Sequence, residues 1–196
     1  VNVGDGGGNG TLNILNGAMV ASQVGNVGVG AGSVGLVTVD GAGSTWWLFG
    51  TDAPLLTWTL QGEGDLVVSN DGLVQVQDPC AVLAVADTIT VGSEGEATLT
   101  IANGGTVISD SVILGGTNPE YESLADYMDP NANLGTGTGF ATVSGTGSSW
   151  TAGTMNVGFS GGGSLTISSD GRVTDESGWI GIMPDSVGIV EVNDAT

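Results

Sequence analysis

The chain has 196 residues, the size of one domain, and 40% of them are hydrophobic, so it is no disordered acidic tail. Its 21 acidic residues face one basic residue, Arg172, for a net charge of -20, and it has no histidine. Without histidine or lysine it cannot build Ser-His-Asp or Cys-His catalysis, a typical zinc site, a Walker A loop or a Schiff-base lysine, and it would repel nucleic acid.

An anionic membrane surface would repel it too. No apolar run approaches the length that a membrane-spanning helix needs, so direct membrane insertion through a helix is not expected. The 37 glycines follow no three-residue period and only 5 prolines accompany them, which excludes collagen. Compatible partners are neutral sugars, cations such as calcium, basic proteins and further copies of the chain.

In chain order, the first element opens at Val3-Gly4 and continues into Leu12-Asn13-Ile14, the turn Asn16-Gly17 and Val20. Gly28 then follows Gly4 at nearly the spacing that separates Gly115 from Gly92 and Gly181 from Gly158. A strand-like stretch, Leu36 to Gly41, ends in Gly-x-Gly-Ser-x-Trp at Gly41 to Trp46. A second copy, over roughly 51–90, is degenerate: it keeps Leu66/Val68, Asp71-Gly72 and Val74 but has no clean Val-Gly opening and no tryptophan segment. The third opens at Val91-Gly92, runs through Leu99/Ile101, Asn103-Gly104-Gly105 and Val107, and reaches Gly115. Gly115 and Gly139 stand much further apart than their counterparts Gly28/Gly35 and Gly181/Gly188, which marks an insertion over 117–138. Phe140 to Gly145 and the second Gly-x-Gly-Ser-x-Trp, Gly145 to Trp150, complete that copy. The fourth opens at Val157-Gly158 and carries Leu165/Ile167, Asp170-Gly171, Val173, Gly181 and Ile189 to Asp194.

Apolar-x-apolar alternation bounded by Asn-Gly, Asp-Gly and Gly-Gly reads as half-buried strands with turns that need positive φ. No apolar stripe of helical period persists; Glu120 to Met128, inside the insertion, is the only plausible helical turn. A unit of about 49 residues with two similar halves predicts coils of about 24 residues that stack equivalent strands on one another. The expectation is an all-β fold: a single-stranded, right-handed parallel β-helix of about eight coils in one domain, residues 1–196, with one inserted loop. Its repeat units are approximately 1–50, 51–90, 91–155 and 156–196. Leu99 and Ile101 should point inward at the register of Leu12, Ile14, Leu165 and Ile167. A β-sandwich is the competing fold, but it would not demand the same side chain at the same register.

The segments Val91-Gly92, Leu99-Thr100-Ile101, Gly104-Gly105-Thr106-Val107 and Gly145 to Trp150, with Val37 to Trp46, resemble a known repeat. It is that of bacterial autotransporter (type V secretion) passenger domains and PEP-CTERM-associated exported proteins. The resemblance implies an exported β-solenoid, extracellular or at the bacterial cell surface, that serves as stalk or scaffold. The function expected is therefore a non-enzymatic structural protein, a fibre or adhesin subunit. The alternative is a polysaccharide-active enzyme or a carbohydrate-binding module on a β-helix.

Several residues stand out as candidates for chemistry. Glu120, Glu122, Asp126 and Asp129 on the insertion are calcium candidates, since calcium takes six to eight oxygens; the bland reading is a solvated acidic loop. Gly6 to Ile14 superficially matches a calcium-binding nonapeptide, but Leu12 stands where the aspartate should be. Carboxylate pairs serve glycosidases, yet a lyase acting on acidic sugars usually needs a basic residue, and Arg172 sits in a turn. Trp46 and Trp150 read as sugar-stacking platforms or, because the position recurs, as apolar fillers at a coil corner. Asn9-Gly10-Thr11 fits a glycosylation sequon, and Cys80 reads as a buried small hydrophobe. No cofactor besides calcium is expected. The chain starts at a repeat opening and stops mid-repeat with no evident cap, so the expected partner is itself, head to tail, with cell-surface polysaccharide as the second candidate.

Overall fold

The computed structural model describes residues 1–30, 32–48, 57–60, 63–76, 88–116 and 135–194, and of 57–60 and Val76 the backbone alone. Strands and turns make up these residues, with no helix among them. The chain runs β1 (Asn2–Asp5), β2 (Asn9–Leu15) and β3 (Met19–Ser22), then β4 (Gly25–Val29), β5 (Val34–Asp40) and β6 (Thr45–Leu48). It continues through β7 (Thr57–Leu60), β8 (Glu63–Ser69), β9 (Leu73–Val76), β10 (Thr88–Val91) and β11 (Glu96–Ala102). Two long strands follow, β12 (Thr106–Leu114) and β14 (Ser149–Val157), separated by β13 (Thr138–Ser144). The last four are β15 (Gly162–Ser168), β16 (Arg172–Thr174), β17 (Ser177–Ile180) and β18 (Val187–Asn193).

These strands form three parallel ladders, visited in fixed rotation. One ladder is a seven-stranded sheet, β2-β5-β8-β11-β13-β15-β18. A second takes β3, β6, β9, the first half of β12, the first half of β14 and β16. The third takes β1, β4, β7, β10, the second halves of β12 and β14, and β17. Because β12 and β14 belong to both, the second and third ladders merge into one eleven-stranded sheet. Every pairing between described strands is parallel, which rules out the antiparallel hairpins of a sandwich. The arrangement is consistent with a β-solenoid.

Register follows the sequence repeat. Leu12, Val37, Leu66, Leu99, Ala141, Leu165 and Val190 occupy one column, and Ile14, Val39, Val68, Ile101, Val143, Ile167 and Val192 the next. The expected alignment of Leu99 and Ile101 with Leu12, Ile14, Leu165 and Ile167 is therefore found. Val37, Leu66, Leu99, Val39, Val68, Ile101 and Val143 have no solvent exposure. Each fully buried aliphatic of this kind contributes about 1.5–3 kcal/mol. The β-branched residues also suit a strand, where their restricted rotamers pack along the column.

Among the described residues the seven-stranded sheet has seven rungs, where a uniform step predicts about eight coils. Three steps are longer than the others: those from Val34 to Glu63, from Glu63 to Glu96 and from Glu96 to Thr138, the first residues of β5, β8, β11 and β13. The chain is back in register by Thr138, so the inserted segment ends before that residue.

Glycine makes the corner into this sheet passable. Gly10, Gly35, Gly64, Ala97, Gly139, Gly163 and Gly188 form one column. A Cβ on Gly35 would overlap the Val3 carbonyl oxygen of the preceding rung and lie 2.5 Å from the Gly28 amide nitrogen. Gly28 turns the chain with φ of +67°, and a Cβ there would sit 2.9 Å from the Glu63 carbonyl of the following rung. Successive rungs thus approach backbone to backbone at this edge. We expect Gly35→Ala to destabilise the fold by roughly 3 kcal/mol or more, through overpacking against backbone that cannot retreat. Gly6, with φ of +61° but nothing within 4 Å of a Cβ, should lose only about 1 kcal/mol on the same change. Urea denaturation of the two variants checks this; equal losses would contradict the close-approach account.

Candidate functional site

Both Gly-x-Gly-Ser-x-Trp segments serve the same local structure. Gly41 and Gly43 have φ of +93° and +80°, and Gly145 and Gly147 have +89° and +83°, so each segment is a tight corner that L side chains would strain. The serine is buried, Ser44 at 0% and Ser148 at 1% exposure. Ser44 Oγ donates to the Asp40 carbonyl at 2.7 Å and accepts from the Gly17 amide of the preceding rung at 3.0 Å. Ser148 Oγ repeats both bonds, to the Ser144 carbonyl at 2.7 Å and from the Gly104 amide at 3.0 Å. The hydroxyl therefore pairs with two backbone groups on adjacent rungs and ties the corner of one to the corner of the next.

Two residues later the tryptophan points inward. Val20, Trp46, Val74, Val107, Trp150 and Val173 share one column, and both tryptophans have 0% exposure. Trp46 Nε1 donates to Ser22 Oγ at 3.1 Å and Trp150 Nε1 to Ser109 Oγ at 3.4 Å. Neither ring can stack on a sugar in this conformation; both fill the core at the entrance of the second ladder.

A third serine was not recognised in the sequence. Ser33, at 0% exposure, donates from Oγ to the Val29 carbonyl at 2.5 Å and accepts from the Gly7 amide of the preceding rung at 2.9 Å. The signal was present, since Gly30-Ala31-Gly32-Ser33 repeats the wording of Gly41-Ala42-Gly43-Ser44. It lacked the tryptophan that made the other two conspicuous.

The remaining candidates are dispersed. Glu120, Glu122, Asp126 and Asp129, the calcium candidates, lie outside the described residues, as do Tyr121, Tyr127, Cys80 and the helical turn expected from Glu120 to Met128. Among the described residues no three acidic or cysteine side chains come together as a metal would require. Arg172 is exposed on β16, with Nε donating to Thr174 Oγ1 at 3.4 Å. In the stretch that resembled a calcium nonapeptide, Leu12 takes its place in the inward column of β2. Asn9 is exposed at the start of β2.

The outward side of the seven-stranded sheet carries a uniform column. There Asn13, Thr38, Val67, Thr100, Thr142, Thr166 and Glu191 form a column, five of whose seven members are β-branched. Its edge carries Asp40, whose Oδ1 accepts from Ser69 Oγ and from Asn70 Nδ2, both at 2.6 Å. The Ser69 bond, and after it the Asn70 bond, hold the Asp40 carboxyl below its ordinary pKa of 3.8, against a smaller opposing effect of desolvation.

Compared with protein-family models, curated proteins and solved structures, the chain matches none.

A depressed carboxyl pKa means that the native state favours the charged form. Its stabilisation is present above the unfolded pKa and is lost as pH falls through the lower folded value. Asp40→Asn should therefore be less stable than the parent at neutral pH. The difference should shrink below pH 3.8 and vanish once Asp40 is protonated in both states. Denaturation of both proteins across that range reads this directly; a gap that persists to the lowest pH would show that the charge plays no part.

Proposed function

We propose that the three ladders wind into one right-handed parallel β-helix whose role is structural: a non-enzymatic, exported subunit of a cell-surface or extracellular fibre. Right-handed crossovers are the rule between parallel strands of one sheet, and the rotation of the ladders fits a continuous coil. The observation that carries the reading is the use of the repeated residues. The paired aliphatics, the corner glycines, Ser44, Ser148, Trp46 and Trp150 all hold one rung to the next. Repetition in this chain tracks stacking, and a scaffold is what stacking alone produces.

Self-association head to tail follows from the same columns. Val192 on β18 and Ile180 on β17 stand at inward registers, yet they are 62% and 59% exposed. The edge of a parallel sheet is a template for a further parallel rung. A second copy can supply that rung in a heterologous contact, which propagates as a filament. Opposing this, each copy carries -20, so association should strengthen as salt screens the charge. A single arginine leaves trypsin-like proteases one target, which suits a protein outside the cell.

Sedimentation and negative-stain microscopy of the 196-residue chain at low and high salt test the assembly. Thin filaments that lengthen with salt are expected, and a species that stays monomeric at high salt and high concentration contradicts the assembly. Incubation with neutral and acidic polysaccharides tests the structural role; release of reducing or unsaturated ends would establish an enzyme instead.

A further inference from the structure

Of the three Asn-Gly peptides in the chain, Asn9-Gly10 lies in strand β2, and the other two, Asn16-Gly17 and Asn103-Gly104, form turns between strands with the asparagine exposed. Asn-Gly is chemically unstable. The backbone nitrogen of the glycine, once deprotonated, attacks the asparagine Cγ, a C–N bond closes a five-membered succinimide, and the side-chain nitrogen leaves as ammonia. Water then opens the ring at either carbonyl to give aspartate or isoaspartate, so the net change is one water taken up and one ammonia released. Glycine favours the attack because no side chain shields its nitrogen.

At these two corners the attacking nitrogen is held by a side chain of the next rung. Gly17 N donates to Ser44 Oγ and Gly104 N to Ser148 Oγ, each at 3.0 Å. Each serine is itself fixed by donating to a carbonyl of its own corner, Asp40 or Ser144, at 2.7 Å. Both serines are buried, so each hydroxyl has a fixed place and offers its acceptor to the glycine amide in a constant direction. Asn16 and Asn103 also stand at φ of 57° and 49°, a left-handed conformation the surroundings must maintain. At the neighbouring corners the position of Gly17 and Gly104 is filled by Asp71 and Asp170, at φ of 63° and 66°, and the Asp170 amide donates to the Asp194 carbonyl at 3.0 Å. Gly72 and Gly171 match Ala18 and Gly105, and all four donate to the carbonyl three positions back. At each of the two Asn-Gly corners a Gly-x-Gly-Ser-x-Trp segment is stacked above, and its serine side chain takes the glycine amide.

We propose that Asn16 and Asn103 are latent sites of spontaneous deamidation, and that Ser44 and Ser148 suppress the reaction by occupying the glycine N–H that must be lost. The serine of the repeat motif is then a chemical guard as well as a corner brace. Its failure would be structural: isoaspartate adds a backbone atom at a corner that sets the register of the next strand.

The parent chain, Ser44→Ala and Ser148→Ala are incubated at mildly alkaline pH, with urea-unfolded parent as reference. Peptide mapping by mass spectrometry then reads aspartate and isoaspartate at each asparagine. The native parent should deamidate at both sites far more slowly than the unfolded chain. Ser44→Ala should accelerate Asn16 about tenfold, the factor that one net hydrogen bond provides, and leave Asn103 at the parent rate. Ser148→Ala should do the reverse. Acceleration of both sites by one substitution, or of neither, would overturn the proposal, as would a native parent as fast as the unfolded chain. Should either variant fail to fold, amide hydrogen exchange in the parent decides the matter: the Gly17 and Gly104 amides should be strongly protected, and rapid exchange there would refute the guard.

Discussion

Parallel rungs can stack only if the chain passes from one face to the next without its corners colliding, and the rest of the structure depends on that clearance. Gly28 and Gly35 show the condition, with backbone of the rungs before and after occupying the space of a side chain. Once the corners clear, every strand meets its equivalent at the same register, and an inward residue is surrounded by its own counterparts. Ala97 is the departure in the glycine column, and it is buried at 1% exposure, so one methyl group is tolerated on that rung. The cost of so much glycine is conformational entropy in the unfolded chain. It is offset by aliphatic columns with no solvent exposure over the central rungs.

The second requirement is polar. A corner between rungs takes backbone groups out of the strand ladders, and this chain partners them with serine. Ser33, Ser44 and Ser148 each accept from the preceding rung and donate within their own corner. Elsewhere asparagine and aspartate at positive φ, such as Asn70 and Asp71, form the turn from their own backbone. Neither solution needs a charge, which leaves the carboxylates free to face water. A chain of -20 can then fold without burying any of the acidic residues described.

Much of this was readable in the residues. The pairs Leu12/Ile14, Leu99/Ile101 and Leu165/Ile167 gave both strand and register, because a period of two with a fixed distance to the next turn has no helical counterpart. Trp46 and Trp150 read as core because the position recurred. The corners at Val27-Gly28 and Leu114-Gly115 were seen only as spaced glycines; their Val-Gly character emerges from the column Val3, Val27, Leu60, Val91, Leu114, Val157 and Ile180. Strand β7 was hidden because Thr57–Leu60 lie in the degenerate copy, where pairing with neighbours, not motif, fixes the register, and β10 showed in the sequence only at its last residue, Val91. The rung count was missed for the same reason: steps of unequal length still land on the same column. Function was the least legible part, since stacking constrains the inward residues and leaves the outward ones variable, and recognition would be written outward.

The column Thr38, Thr100, Thr142 and Thr166 offers the most direct test of stacking itself. Thr100 and Thr142 are separated in sequence by the inserted segment, whereas Thr142 and Thr166 are one uninterrupted pass through the three ladders apart. Both pairs are adjacent rungs of one parallel ladder, at a spacing of about 4.8 Å. Spin labels placed pairwise at these outward positions should therefore show equal dipolar broadening for the two pairs, with the Thr38–Thr166 pair, four rungs apart, much weaker. A Thr100–Thr142 separation clearly longer than that of Thr142–Thr166 would contradict the ladder and the account built on it.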